Sequence, residues 1–208
     1  MELPIRKASS AITLVSPTLE KHMRKHANGK VITIPNGVFI PKDPETNFDS
    51  KVLELISIGR LVKQKGVQHA IHSLYDLPEN LRSKVHLNIV GEGPYLTELK
   101  HLCANLEMDS CVTFHGRMVG DALANMYEKC QIHLMPTTSH EGLPLTILEG
   151  MSYGLVTIAS NIGGIPSLIT HREDGLLISP GNREDLTDNL VAILEDRSIM
   201  KTISKAAR

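Results

Sequence analysis

Two carboxylates eight positions apart, Glu141 and Glu149, and three cations within six positions, Arg60, Lys63 and Lys65, have the most scope for chemistry. Paired carboxylates work as general acid and base, or accept hydrogen bonds from hydroxyl groups. Clustered Arg and Lys hold a phosphate without a metal, Arg as a planar fork and Lys as a point charge. Arg60 follows Gly59 directly at the end of an apolar run. Glu141 lies in the loop after a second run, Gln131-Ile-His-Leu-Met-Pro136, and Pro144 suits the first position of a helix that carries Glu149. Both carboxylates are therefore expected to face one crevice, between the carboxyl end of a strand and the amino end of a helix. Free N–H groups and the helix dipole favour an anion there. Ile147, Leu148 and Met151 surround Glu149, so its carboxylate needs donors to offset desolvation.

Other motifs are weaker. Gly91-Glu-Gly-Pro94 resembles the start of a dinucleotide fingerprint, but Leu96 stands where a third glycine is required; Gly59 to Gly66 fails the P-loop pattern at Val67. Gly116 in Phe114-His-Gly-Arg-Met118 either lets the backbone meet a base edge or makes a plain turn. Gly163-Gly164 ahead of Pro166 offers a second set of amides at a helix start. No metal centre is expected. His22 with His26 and His69 with His72 have helical spacing, yet no Cys or carboxylate completes a ligand set, and they read as solvated faces. His133 reads as core and His140 as rim. Neither an Asp-x-Asp pair nor a Gly-x-Ser-x-Gly elbow is present.

The elements that must position these groups follow from periodicity. Residues 11–15 read as a strand, Ser16-Pro17 as the opening of a short helix through about His26, and residues 31–34 as a second strand. Pro41 to Ser50 is polar and aperiodic, the best linker in the chain, which places a boundary near residue 40. From Lys51 onward, apolar runs of strand length alternate with amphipathic segments: strands near 52–58, 85–90, 111–115, 132–135, 156–159 and 175–178, and helices near 67–77, 94–106, 122–130, 144–151, 166–170 and 183–195. Continuous apolar strands alternating with helices imply an α/β, Rossmann-like parallel sheet covered on both faces, with ligands outside the carboxyl ends of its strands.

Composition bounds the function. The chain has 208 residues, 41% hydrophobic, enough for one sizeable core. A net charge of -1, 3% aromatic content and no Trp argue against nucleic acid as a partner. Three cysteines without a C-x-x-C pair indicate neither a disulfide framework nor a thiolate metal site, and a reducing cytoplasm is the expected compartment. No apolar run approaches the roughly 18–20 residues of a membrane span, which leaves peripheral contact at the inner face of a membrane open.

Taken in order, these loops resemble the carboxyl-terminal, donor-binding half of GT-B glycosyltransferases of family 4, the large retaining group. The resemblance rests on Ile34-Pro-Asn-Gly-Val38, Gly59-Arg60-Leu61 with Lys65-Gly66, Gly91-Glu-Gly-Pro94, Phe114-His-Gly116, the E-x7-E pair Glu141 and Glu149, Gly163-Gly164-Ile-Pro166, and Gly175-Leu-Leu ahead of Pro180-Gly181. It implies that residues 1–40 are the end of an acceptor domain and a hinge, and that residues 41–208 bind a nucleoside-diphosphate sugar, UDP-linked, with no cofactor and no metal. Arg60 and Lys65 would hold the diphosphate and Glu141 the donor sugar, the three acting as the catalytic set. Glu149 would accept from the ribose hydroxyls. The loop Gly116, Arg117 and Met118 would meet the base, and Gly59, Gly142, Leu143 and Leu145 would approach through their backbone. The acceptor, a glycan or lipid-linked sugar of a surface polysaccharide, would bind mainly in an amino-terminal domain, so this part alone should turn over poorly. Leu143, Gly150, Leu155 and Ser167 stand where that family often has Phe, Ala, Pro and Glu. Two alternatives stay open: a non-catalytic nucleotide-sugar module and a related sugar-nucleotide epimerase.

Overall fold

The computed structural model describes residues 10–208 apart from positions 18, 19, 26, 43 and 45, and leaves the side chains of positions 21 and 22 undescribed. Strands β1 (Ala11–Leu14) and β2 (Lys30–Thr33) form a parallel pair that brackets helix α1 (Glu20–Arg24). Parts of the helix expected after Pro17, and the pairing of His22 with His26, lie outside the described residues.

The remaining strands are β3 (Leu53–Ile58), β4 (Val85–Val90), β5 (Val112–Gly116), β6 (Ile132–Met135), β7 (Val156–Ser160) and β8 (Leu176–Ile178). They form one all-parallel sheet in the order β5-β4-β3-β6-β7-β8. Between them run α2 (Val67–Asp76), α3 (Glu79–Arg82), α4 (Leu96–Asn105), α5 (Asp121–Lys129), α6 (Leu145–Ser152), α7 (Arg183–Glu195) and α8 (Ser198–Ala207). The Rossmann-like fold expected from the alternating pattern is therefore present. One expected helix is shorter: after β7 the chain makes only a 3-10 turn at Ile165–Ser167.

The central strands place apolar residues on both faces because both are covered. Alternation by two sends Leu53 and Leu55 of β3 into the larger core with Ala70, Ile71 and Leu74 of α2, Leu99 of α4 and Leu190 of α7. It sends Ile56 the other way, into a smaller cluster with Val90, Met126 and Tyr127. Leu55 is fully buried, and truncation to Ala should cost about 2–5 kcal/mol through lost transfer energy and the cavity left behind.

The polar stretch after residue 40 is not a free linker. Phe48 is buried in the main core, and Arg197 Nη1 donates to the carbonyls of Phe48 and Ser50. Thr46 Oγ1 donates to Tyr153 O at 3.0 Å, and Lys201 pairs with Asp49 at 3.0 Å. One buried ring and these contacts strap the segment to the domain.

Candidate active site

The chain leaves β3 outward through β4 and β5, then returns to place β6 against β3 on the other side. Such a reversal opens a crevice between neighbouring strands at their carboxyl ends. Pairing between β3 and β6 covers only Leu55 with Ile132 and Ile56 with His133, so both strands run on unpaired with each other towards Ile58 and Met135. Gly59, Arg60, Lys65 and Met135 line the gap. Arg60 is exposed and has no side-chain partner among the described residues.

Lys65 ends a 3-10 turn, Lys63–Lys65, closed by Gly66 in the left-handed region at φ 78°. A Cβ on Gly66 would meet Pro136 O at 1.8 Å, so only glycine lets this turn lie on the loop after β6. The close approach brings Lys65 Nζ to Glu141 Oε1 at 2.8 Å, across 76 positions of sequence. Thr137 secures the junction: its hydroxyl donates to Gln64 O at 2.9 Å and lies 3.3 Å from Glu141 Oε1. Thr138 N donates to Gln64 O at 2.8 Å. The Glu141 side chain is 15% exposed and that of Lys65 28%, so the pair is partly desolvated while the ammonium keeps donors for a ligand.

Helix α6 begins at Leu145, with Pro144 as its cap, one position earlier in the helix frame than expected. Glu149 lies one turn on. Tyr127 supplies the donor its carboxylate needs, with the hydroxyl 2.8 Å from Oε2. The Tyr127 ring is 2% exposed and stacks on Tyr153 with centroids 5.2 Å apart. Burial, and then the Glu149 charge, push the Tyr127 hydroxyl far above its ordinary pKa, keeping it a proton donor. Glu149, Tyr127 and Tyr153 line a hollow of about 380 Å³ with Leu145, Phe39 and Gly120. Glu141 faces Lys65, and Glu149 opens into this hollow.

The other sequence-predicted groups divide. Gly116 is left-handed at φ 68°, and its carbonyl accepts from Gly91 N at 2.7 Å. Arg117 is exposed, and Met118 packs against the cluster around Ile56 and Val90. Leu143 is buried, with its carbonyl accepting from Asn36 Nδ2 at 3.0 Å; Leu145 is 45% exposed. Gly142 backs onto Gly164, whose added Cβ would meet Gly142 O at 1.5 Å. At the second set of amides expected at Gly163-Gly164, two are already engaged within the protein. Gly164 N donates to Glu141 O at 2.8 Å and Ile165 N to Ile162 O at 3.3 Å, because these glycines exist to seat the Glu141 loop. Ser167 turns back to Gly164 O at 2.6 Å.

His133 is fully buried without a ring partner, and desolvation lowers its pKa to about 4. His69 and His72 are half-buried rather than solvated, and His140 is exposed. Among the described residues no three His, Cys, Asp or Glu side chains converge as a metal site, and no helix is long and apolar enough to cross a membrane. Sequence reading missed Tyr127, Tyr153, Thr137 and Asn36. A buried Tyr in the amphipathic segment before β6 was the one available signal, since its hydroxyl has to find a partner.

Fold and rim together define a Rossmann-like domain whose topological switch point opens a crevice lined by Arg60 and Lys65. Residues 39–208 match the profile of the glycosyl transferases group 1, and the chain belongs to that family. It is 33% identical over 157 residues to the sulfoquinovosyl transferase of Arabidopsis thaliana, covering 74% of this chain and 29% of that protein. The N-acetyl-alpha-D-glucosaminyl L-malate synthase of Bacillus anthracis is 26% identical over 211 residues, with 96% of this chain and 54% of that protein covered. The chain thus spans at most about half the length of these two relatives. Among solved structures, Anabaena HepE in complex with UDP-glucose superposes with a TM-score of 0.86 at 21% identity, over 99% of this chain and 60% of that one. The carboxyl-terminal domain of a group 1 glycosyl transferase from Francisella tularensis gives 0.68 at 23% identity, over 79% of this chain and 90% of that one.

Proposed function

We propose that this chain is the donor-binding half of a metal-independent retaining glycosyltransferase of family 4 that takes a UDP-linked hexose or N-acetylhexosamine. The observation that carries the reading is the Lys65–Glu141 contact at 2.8 Å beside an unpartnered Arg60, at the crevice where β3 and β6 part. Arg60 and the free donors of Lys65 hold the diphosphate, and Glu141 Oε2 is left to accept from a sugar hydroxyl. Glu149, steadied by Tyr127, accepts from the ribose, and the Gly116 to Met118 loop borders the base. Complexes of HepE with UDP and with UDP-glucose support a UDP-linked donor. The domain boundary near residue 40 belongs to the same proposal.

In the reaction the bond from the anomeric carbon to the β-phosphate oxygen breaks and its electron pair stays on the phosphate. The acceptor hydroxyl oxygen bonds to that carbon on the same face, and its proton passes to the departing phosphate. Negative charge grows where Arg60 and Lys65 point, so they stabilise the transition state more than the ground state, at about 2–4 kcal/mol for each such group. The acceptor, a glycan or lipid-linked sugar, meets this rim from an amino-terminal domain, at the inner face of the cytoplasmic membrane.

Calorimetric titration with UDP, GDP, ADP and CMP in EDTA tests the donor assignment. UDP should bind without metal, and Arg60→Ala or Glu149→Ala should weaken it at least several-fold. A folded chain that binds none of the four nucleotides refutes the reading.

A further inference from the structure

The three cations of the first loop do not act together. Arg60 and Lys65 line the crevice, whereas Lys63 lines a separate cavity of about 510 Å³ between the amino ends of α2 and α7. His69 and His72 enter it from α2, Arg183 from α7 and Thr138 from the loop that carries Glu141. Gln64, the residue before Lys65, also lines it, and its carbonyl takes hydrogen bonds from both Thr137 and Thr138. The cavity lining is thus joined to the Lys65–Glu141 pair through Gln64, next to Lys65 in the chain, and Thr138, three residues before Glu141.

Among the described residues no carboxylate lines the cavity. Asp76, at the far end of α2, pairs with Arg183 Nε at 2.9 Å and accounts for one charge. Lys63 Nζ has no partner among the described residues, and the two imidazoles add ring N–H donors. The cluster repels itself: after burial, what holds His69 below its ordinary pKa is His72 and then Arg183. An oxyanion held in this concavity would relieve that repulsion. Donors on four segments around one cavity suit a tetrahedral group with three free oxygens better than a planar carboxylate.

We propose that this cavity is an acceptor subsite that binds a phosphoryl group carried by the sugar acceptor. The inference rests on the donor reading, because the acceptor must lie beside the donor sugar at Glu141.

The full chain is titrated with inorganic phosphate, glycerol phosphate and acetate at constant ionic strength, with and without saturating UDP, following the His69 and His72 ring resonances by NMR. Phosphate and glycerol phosphate should shift both rings saturably, in the presence of UDP as in its absence. Lys63→Gln should weaken this binding about tenfold, the equivalent of about 1.4 kcal/mol. Arg183→Gln should do the same while leaving UDP affinity unchanged, which also shows that variant to be folded. Glycerol phosphate binding as tightly as phosphate fits an acceptor-borne group; tight binding of free phosphate alone overturns the acceptor role. Acetate acting as well as phosphate overturns the phosphoryl assignment, and rings that do not shift overturn the site. Absence of UDP binding with intact phosphate shifts would instead count against the donor reading.

Discussion

Replacing Tyr127 by Phe removes one oxygen and keeps the stack on Tyr153. That oxygen donates to Glu149 Oε2 at 2.8 Å from a ring only 2% exposed. A hydrogen bond to a charged acceptor contributes about 1.5–3 kcal/mol, and water can replace part of it because Glu149 is half-exposed, so the expected loss at pH 8 is about 1–2 kcal/mol. The same bond has an alkaline signature. Below about pH 10 the hydroxyl is protonated in both states. Above that, the unfolded chain loses the proton while the folded one, with its raised pKa, keeps it. The folded state then binds more protons, and stability falls by about 1.4 kcal/mol per pH unit. Tyr153 is shifted the same way and contributes in both proteins. Urea denaturation at pH 8 and from about pH 10 to 11 should show the variant less stable at pH 8 and with a shallower alkaline slope. UDP affinity should drop several-fold as Glu149 loses its fixed orientation. Equal stability at pH 8 together with an unchanged slope would refute the positioning role.

His133 gives the acid counterpart. Its folded pKa of about 4 lies below the ordinary 6.5, so its contribution is complete above pH 6.5 and is lost as pH falls towards 4, by roughly 3 kcal/mol in all. His133→Leu should flatten that limb in melts between pH 7 and 4; an unchanged limb would assign it to other groups. Gly164→Ala should destabilise by about 1–3 kcal/mol and abolish UDP binding, since its Cβ has to displace Gly142 O. Gly37→Ala, with nothing within 4 Å, is the matched control for stability and should leave it unchanged.

Strands and helices could be read from the sequence because each is local: an apolar run bounded by turn residues states its own extent. The order of strands could not, since placing β6 beside β3 is a choice between crossovers that no short segment encodes. The same distinction divides the site. Arg60, Lys65, Glu141 and Glu149 could be singled out by type and position, but the contact of Lys65 with Glu141 joins loops 76 residues apart, and that of Tyr127 with Glu149 joins two helices. The stretch after residue 40 reads as a linker because its anchor is a single Phe48, held by an Arg197 about 150 residues away. Gly163-Gly164 resembles an anion nest in sequence; only the neighbouring loop reveals that its amide is already committed to Glu141.

The glycine seatings have a practical consequence for redesign. Gly66 rests on Pro136, Gly91 on Gly59, Gly93 on Leu61, and Gly163 with Gly164 on Glu141 and Gly142, each against backbone rather than side chain. Loops that touch main chain to main chain exchange as sets. A graft bringing a relative's 136–143 segment into this scaffold should carry 161–166 and 59–66 with it, and the last of these should bring 91–94. Chimeras cut between partners should lose nucleotide affinity, whereas those cut around them keep it and inherit the donor's preference for sugar.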